Sequence, residues 1–290
     1  MTKLFIIGAD FNFEEQEMIK ESQKIFDESY FFALSDLYFE LGQITKVMVK
    51  TGDLLEKIDN ESIVYVRRTR DYQSKIVALL NLFKKRNVKF SDFYEAIVSN
   101  LDKSIFLPSL ESKLISNVSP THFLRRHELA SIDFGQLKFP CVTKPIFGRH
   151  GNGFMKHDSL SALKKFLQNI DHDFILHPFL DIEAEYRIFV VGDTSLGCVR
   201  KIPAKNSLVA NSHAGAKFEK TLLPLKFHKE SIRLCQESGV EIGGLDFVRT
   251  KQGEYLLLEI NRCPEFRAFT VAMKKNVAKI IVKYLRSKVL

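Results

Sequence analysis

The apolar residues of this chain change their pattern part-way along, and that change limits the folds open to it. Through about residue 100, short apolar runs alternate with stretches of helical period. Lys3 to Ile7, Gln43 to Val49, Ser62 to Val66 and Val88-Lys89-Phe90 read as strands, and Phe13 to Phe26 and Lys75 to Lys85 as helices. Such alternation predicts a parallel, doubly wound α/β lobe. From about residue 138 the texture is α+β. Lys138 to Pro145 is a β-prone run ending in a glycine-rich loop, extended structure resumes at Gly153, and Asp173 to His177 is another strand. Tyr186 to Val191 and Gly197 to Lys201 flank Gly192-Asp193, and Gly244 to Arg249 and Tyr255 to Ile260 flank Lys251-Gln252-Gly253. Both read as antiparallel hairpins. Asp158 or Ser159 is placed to cap a helix running to Asn169, Lys229 to Ser238 reads as a helix stopped at Gly239, and the segment from Val271 as a last helix. Two textures without a long linker predict lobes that close on a shared cleft.

Composition narrows the class. Hydrophobic residues make up 45% of the 290 and charged residues 27%, which excludes a disordered chain or a fibre. No apolar run reaches the ~18 residues that span a bilayer. The apolar stretch after Met1 is too short for a signal peptide and reads as a buried first strand. Cys141, Cys198, Cys235 and Cys263 form no CxxC pair and suggest neither a zinc site nor a disulfide framework. A cytoplasmic location is the expectation. The net charge of +8 fits either a solvated lysine surface or a site for anions. The 25 Phe residues fall in no pattern that stacks bases, so nucleic acid is the least favoured partner.

Three groups of residues carry chemistry. Gly148-Arg149-His150-Gly151-Asn152-Gly153 lies between two β-prone runs. It is either an ordinary hairpin turn or a loop whose N–H groups meet phosphate oxygens, and Lys144 just before it is well placed to neutralise them. Asp246, Glu259 and Asn261 sit on the two strands of the second hairpin. Glu259 and Asn261 are two apart and so share a face. Two carboxylates and an amide make a hard oxygen set suited to Mg²⁺, whereas buried acids without a partner cation are costly. Salt-bridged carboxylates on a half-exposed hairpin are the alternative. Glu185-Tyr186-Arg187 and Arg200-Lys201 lie on adjacent strands and can place cations over the same cleft, with surface pairing as the plain reading of Lys201.

In order along the chain, Glu95-Ala96-Ile97 and Asp102-Lys103, Lys144-Pro145 with its glycine loop, and Phe174 to Leu180 are followed by Glu185-Tyr186-Arg187 and Val190-Val191-Gly192-Asp193. Gly244-Leu245-Asp246-Phe247 and Leu258-Glu259-Ile260-Asn261 close the series. This series resembles the ATP-grasp ligases, particularly the RimK-type carboxylate–amine ligases. Each motif is short, but their shared order and spacing are specific, and the resemblance is most secure over 95–264. It implies an ATP-grasp fold of three lobes: a pre-ATP-grasp, Rossmann-like α/β lobe over 1–102, a central lobe with the glycine loop over 103–178, and a C-terminal lobe with the metal site over 179–290.

The resemblance also assigns roles. Lys103 and Lys144 would contact ATP phosphates, with Lys113 the competitor for the first lysine, and the loop holding Gly148, Gly151 and Gly153 would close over them. Pro178, Phe179 and Leu180 would hold adenine through the backbone, and Glu185 would sit near the ribose. Arg187 and Arg200 would lie near the transferred phosphate, and Asp246, Glu259 and Asn261 would hold Mg²⁺, with Mn²⁺ as an alternative. The implied reaction joins a carboxylate to an amine through an acyl phosphate, with a peptide or protein open as one substrate. An ATP-grasp kinase acting on a small molecule and a non-catalytic nucleotide- or peptide-binding module are the rival readings. Two stretches depart from the RimK-like pattern: Asn211 to Ala216 lacks the usual preceding Arg, and Arg262-Cys263-Pro264-Glu265-Phe266-Arg267 replaces a small glycine-containing loop. Both imply a different acceptor. The cations of the last helix, with Arg262 and Arg267, are expected to draw in an acidic substrate; a solvated terminal helix is the alternative. Val64-Tyr65-Val66-Arg67-Arg68 and Gly253-Glu254-Tyr255 also look like ATP-grasp enzymes that crosslink ribosomally made peptides.

Overall fold

The computed structural model of the protein describes residues 1–69, 71–101, 116–117, 122–124, 137–146, 153–203 and 215–289. The first hundred residues contain β1 (Lys3–Gly8), α1 (Phe13–Ser22), β2 (Glu28–Ala33), β3 (Tyr38–Glu40), β4 (Lys46–Val49), β5 (Gly52–Asp53), α2 (Leu54–Lys57), β6 (Ser62–Val66), α3 (Gln73–Lys85), β7 (Phe90–Ser91) and α4 (Tyr94–Ser99). Strands β2-β1-β6-β7 form a parallel sheet. The expected parallel lobe is present, with two corrections. The strand within Gln43 to Val49 belongs instead to a small antiparallel sheet, β3-β4-β5. Its place in the parallel sheet is taken by β2, which follows the segment read as the first helix and for which the sequence carries no strand expectation. That strand is an edge, only half-buried along its length, so it carries no clean alternation.

Next come β8 (Ser116–Asn117), β9 (His122–Leu124), β10 (Cys141–Pro145), β11 (Met155–His157), α5 (Leu160–Leu167) and β12 (Phe174–Pro178). An antiparallel sheet of order β11-β10-β12-β9 forms here. Ser159 is the cap of α5; its hydroxyl accepts from the Ala162 N–H at 3.2 Å. One face of this sheet packs Cys141, Phe174 and Leu176 against Leu163 and Ile170.

The last third holds β13 (Ile182–Val191), β14 (Thr194–Ile202), β15 (Lys217–Thr221), α6 (Leu225–Glu237), β16 (Ile242–Thr250), β17 (Tyr255–Asn261), α7 (Arg267–Met273) and α8 (Val277–Ser287). Both predicted hairpins form. The sheet runs β15-β14-β13-β16-β17-β8, antiparallel apart from β8, which pairs parallel to β17. The single terminal helix expected from the sequence is two. Lys274 takes a left-handed conformation (φ 52°), and Asn276 then caps α8 by accepting from the Lys279 N–H at 2.9 Å.

The two faces of this six-stranded sheet do different work. One packs Ile188, Cys198, Leu245 and Phe247 under α6. The other carries Phe189, Val191 and Val199 into a core with Phe269, Ile281 and Leu285 of the last two helices and Leu4, Ile6 and Met18 of the first lobe. The first and last thirds of the chain therefore share one core. Polar side chains occupy the remaining end of that second face.

Candidate functional site

Register fixes which side chains meet. In the ladder between β13 and β14, Glu185 pairs with Lys201 and Arg187 with Val199. Across β13 and β16, Arg187 pairs with Asp246, and across β16 and β17, Asp246 pairs with Glu259 and Gly244 with Asn261. Directly paired residues project to the same side, and alternate residues return to it. Glu185, Arg187, Lys201, Asp246, Glu259 and Asn261 are thus gathered on one face. No Cβ fits at Gly244, where it would lie 2.8 Å from the Cβ of Pro264. The loop after Asn261 therefore folds back directly over this strand.

The cluster is bonded throughout. Arg187 grips Asp246 with a two-pronged contact, Nε to Oδ1 and Nη2 to Oδ2, each 2.7 Å. Lys201 bridges Glu185 and Asp246, with its Nζ 3.1 Å from Asp246 Oδ2, and its side chain is 1% exposed. The Asn261 amide donates to Glu259 Oε1 at 3.0 Å and to Asp246 Oδ2 at 3.4 Å. Burial on its own pushes the Asp246 pKa up, but the charges of Arg187 and Lys201 outweigh it and hold the carboxyl below its ordinary range. Burial wins at Glu185, whose pKa is raised despite Lys201. Burial also opposes the charge on Arg187, and Asp246 more than restores it.

The sequence expectations meet this geometry unevenly. Asp246, Glu259, Asn261, Glu185 and Arg187 come together. Arg200 does not: it pairs with Tyr186, so it points to the opposite face, and it is exposed. Lys201, expected to be a surface pair, is the buried cation in its place. Among the described residues no group of three His, Cys, Asp or Glu side chains stands ready for a metal. A cation here therefore depends on Asn261 as a third donor beside Asp246 and Glu259. The contacts of Asn261 with both carboxylates show the three within reach of one another, and their hard oxygen donors fit a divalent ion such as Mg²⁺.

On the central sheet, β10 and β12 put Lys144 and His177 on one face, away from the apolar side. His177 Nδ1 donates to the Pro178 carbonyl at 2.9 Å, and the Phe179 N–H donates to the Pro140 carbonyl at 2.8 Å. Burial, helped by the charge of Lys144, lowers the His177 pKa to about 4, so the ring is neutral. Lys156 lies with its Nζ 4.9 Å above the Phe179 ring. Leu180 follows at the start of the turn into β13 and is half-buried. Gly153 has φ 76°, and a Cβ there would stand 2.7 Å from the Pro145 ring, so the base of the glycine loop closes on the residue after Lys144. Lys103, Lys113, Gly148 and Gly151 lie outside the described residues.

Sequence reasoning also misjudged Arg262. It is buried, with Nη1 donating to the Val66 carbonyl at 2.5 Å and to Asp92 Oδ2 at 3.0 Å, so it cannot greet a substrate. Arg267 instead stacks over Phe13 at 5.1 Å.

Comparisons with known proteins agree with the fold. The family model described as the RimK-like ATP-grasp domain matches residues 119–285. A probable alpha-L-glutamate ligase of Haemophilus ducreyi is 29% identical over 156 residues, which cover 52% of this chain and 50% of the relative. The chain thus aligns with about half the length of such curated relatives. Among solved structures, the ATP-grasp ligase PsnB complexed with minimal precursor superposes with a TM-score of 0.73 at 15% identity, covering 100% of both chains. The macrocyclase MdnC of Microcystis aeruginosa, bound with precursor peptide MdnA, gives 0.69 at 16% identity, covering 99% of this chain and 100% of its own. These two likenesses establish the ATP-grasp architecture.

Proposed function

This chain belongs to the family of RimK-like ATP-grasp domains, and from that premise we propose that it is an ATP- and Mg²⁺-dependent carboxylate–amine ligase. The observation that carries the reading is the cluster on one face of the six-stranded sheet, where Asp246, Glu259 and Asn261 offer a hard oxygen set beside the cations Arg187 and Lys201. A divalent ion supplies charge neutralisation for the triphosphate and the transferred phosphoryl group. Mg²⁺ is the first choice, with Mn²⁺ suited to the same oxygens. Asp246, Glu259 and Asn261 would hold it. Arg187 and Lys201 would exchange part of their contact with Asp246 for phosphate oxygens. Lys144, at the base of the glycine loop, would neutralise the phosphates on the nucleotide side, while the β12 hinge from Pro178 to Leu180 presents backbone groups to adenine. Glu185 would take the ribose side.

A carboxylate is a poor electrophile. Transfer of the γ-phosphoryl group from ATP makes it an acyl phosphate and releases ADP. An amine then attacks the carbonyl carbon, phosphate leaves, and the amine gives up a proton. The protein positions and neutralises, and no nucleophilic side chain is required. A peptide or protein is the favoured class for one substrate, because the superposing ligases PsnB and MdnC have each been solved with a precursor peptide. The work would be cytoplasmic. The test is a screen for ADP release over amino acids and peptide acceptors, with mass spectrometry of the products. ADP, phosphate and a new amide support the ligase. A stable phosphorylated product would make it a kinase, and ATP binding without any turnover would make it a binding module.

A further inference from the structure

Directly after Asn261 stands a buried arginine whose partners belong to the first lobe. Arg262 Nη1 reaches the carbonyl of Val66, at the end of β6, and Asp92 Oδ2, just after β7. Asp92 is buried and takes a left-handed backbone (φ 62°), a conformation uncommon outside glycine. Its other oxygen, Oδ1, accepts from the N–H groups of Glu241 at 2.7 Å and Ile242 at 3.3 Å. Glu241 answers in kind: its Oε2 accepts from Ser91 Oγ and from the Asp92 N–H, each at 2.9 Å, while Lys288 holds its other oxygen.

One aspartate therefore pins two strands. Ile242 opens β16, the strand that carries Asp246. Arg262 follows β17, the strand that carries Glu259 and Asn261. Both are tied to the carboxyl ends of β6 and β7 of the first lobe. We infer that Asp92 and Arg262 are positioning residues for the cation ligands, fixing the relative placement of Asp246, Glu259 and Asn261 from the neighbouring lobe. This rests on the proposed metal site and adds a part that acts only through it. Groups that orient metal ligands without touching the metal commonly change affinity by about 10–100-fold when removed.

The experiment measures ATP binding by calorimetry on the full chain across a range of Mg²⁺ concentrations. Arg262→Lys keeps the charge and removes the Nη1 that makes both contacts. The double variant Arg262→Met/Asp92→Asn removes both charges and leaves no ion unpaired. Ile76→Val, in the core of the first lobe and away from both clusters, controls for lost stability. The expected result is a half-saturating Mg²⁺ concentration raised about tenfold or more in both pair variants, and unchanged in Ile76→Val even where its melting temperature falls. Pair variants that melt earlier yet keep the parent's Mg²⁺ dependence would overturn the positioning role. Failure of both to fold would overturn it too, making the pair a folding element. A parent whose ATP binding ignores Mg²⁺ would instead remove the metal site on which the inference rests.

Discussion

Two buried ion clusters among the described residues differ in how completely they are closed. Arg67 and Glu15 pair at 2.8 Å with neither side chain exposed, and Arg262 and Asp92 are nearly as enclosed. These pairs join the first lobe to itself and to the strands behind the site. The cleft cluster is built from the same residue types, but Arg187 and Glu185 keep 11% and 15% of their side-chain surface open. Asp246 there shares its charge with Arg187, Lys201 and Asn261 at once. A sealed pair can only hold. A cluster with several alternative partners and an open side can trade one contact for another when an anion or a cation arrives. Both clusters hold acids with more than one partner, so what separates them is the open side of the cleft cluster.

The difference is sharpest if one charge is removed from each. Arg67→Met leaves buried Glu15 with only the longer contact to Arg68, at 3.4 Å, and should lower unfolding free energy by about 3 kcal/mol, read by urea denaturation. Glu259→Gln should leave the urea midpoint near the parent's but cut turnover by about 100-fold, because a ligand charge is lost at the proposed cation site. Equal losses of stability in the two variants would erase the distinction drawn between the clusters.

Acid probes the face of the central sheet that carries Lys144 and His177. His177 is neutral because its folded pKa, about 4, lies below the ordinary 6.5. The unfolded chain then binds the proton first. The stabilising contribution is complete above pH 6.5 and is lost as pH falls toward 4. It should amount to about 2 kcal/mol between pH 7 and pH 4.5, and His177→Gln should flatten that part of the profile. A slope that survives in the variant would assign it to other groups. The smallest effect belongs to Arg200→Met. Being exposed on the far face, this residue should cost under about 0.5 kcal/mol and leave ATP binding intact. A large loss there would return Arg200 to the site.

The contrast between Arg200 and Lys201 shows where sequence reading stops. Counting outward from the Gly192-Asp193 turn pairs Val191 with Thr194 and Val190 with Ser195, and simple continuation would set Arg200 opposite Glu185. A bulge between Phe189 and Val190 shifts the register, so that Phe189 meets Gly197 and Glu185 meets Lys201. Because side chains alternate faces, one extra residue exchanges which cation enters the cluster. Gly197, with φ 124°, was the available signal. Asp246, Glu259 and Asn261 were legible because their spacing is set within short, regular strands and their polarity interrupts apolar runs. The hairpins and the parallel lobe were legible for the same reason. What depended on distant partners was not: β2 is an edge strand, β8 gains its pairing only from β17, and Arg262 looks like a surface cation until Asp92 and Val66 are brought to it.

The core shared by the first lobe and the last helices also has a consequence in time. Ile6 and Met18 are covered by Ile281 and Leu285, and Glu14 accepts hydrogen bonds from the N–H groups of Phe266 and Arg267. A chain emerging from the ribosome can lay down β1 and α1 early, yet it cannot bury their apolar side until α8 has been made. Contacts of such long sequence separation form slowly. Until they form, the nascent first lobe displays an oily surface to its surroundings, the kind of exposed surface that favours aggregation during folding.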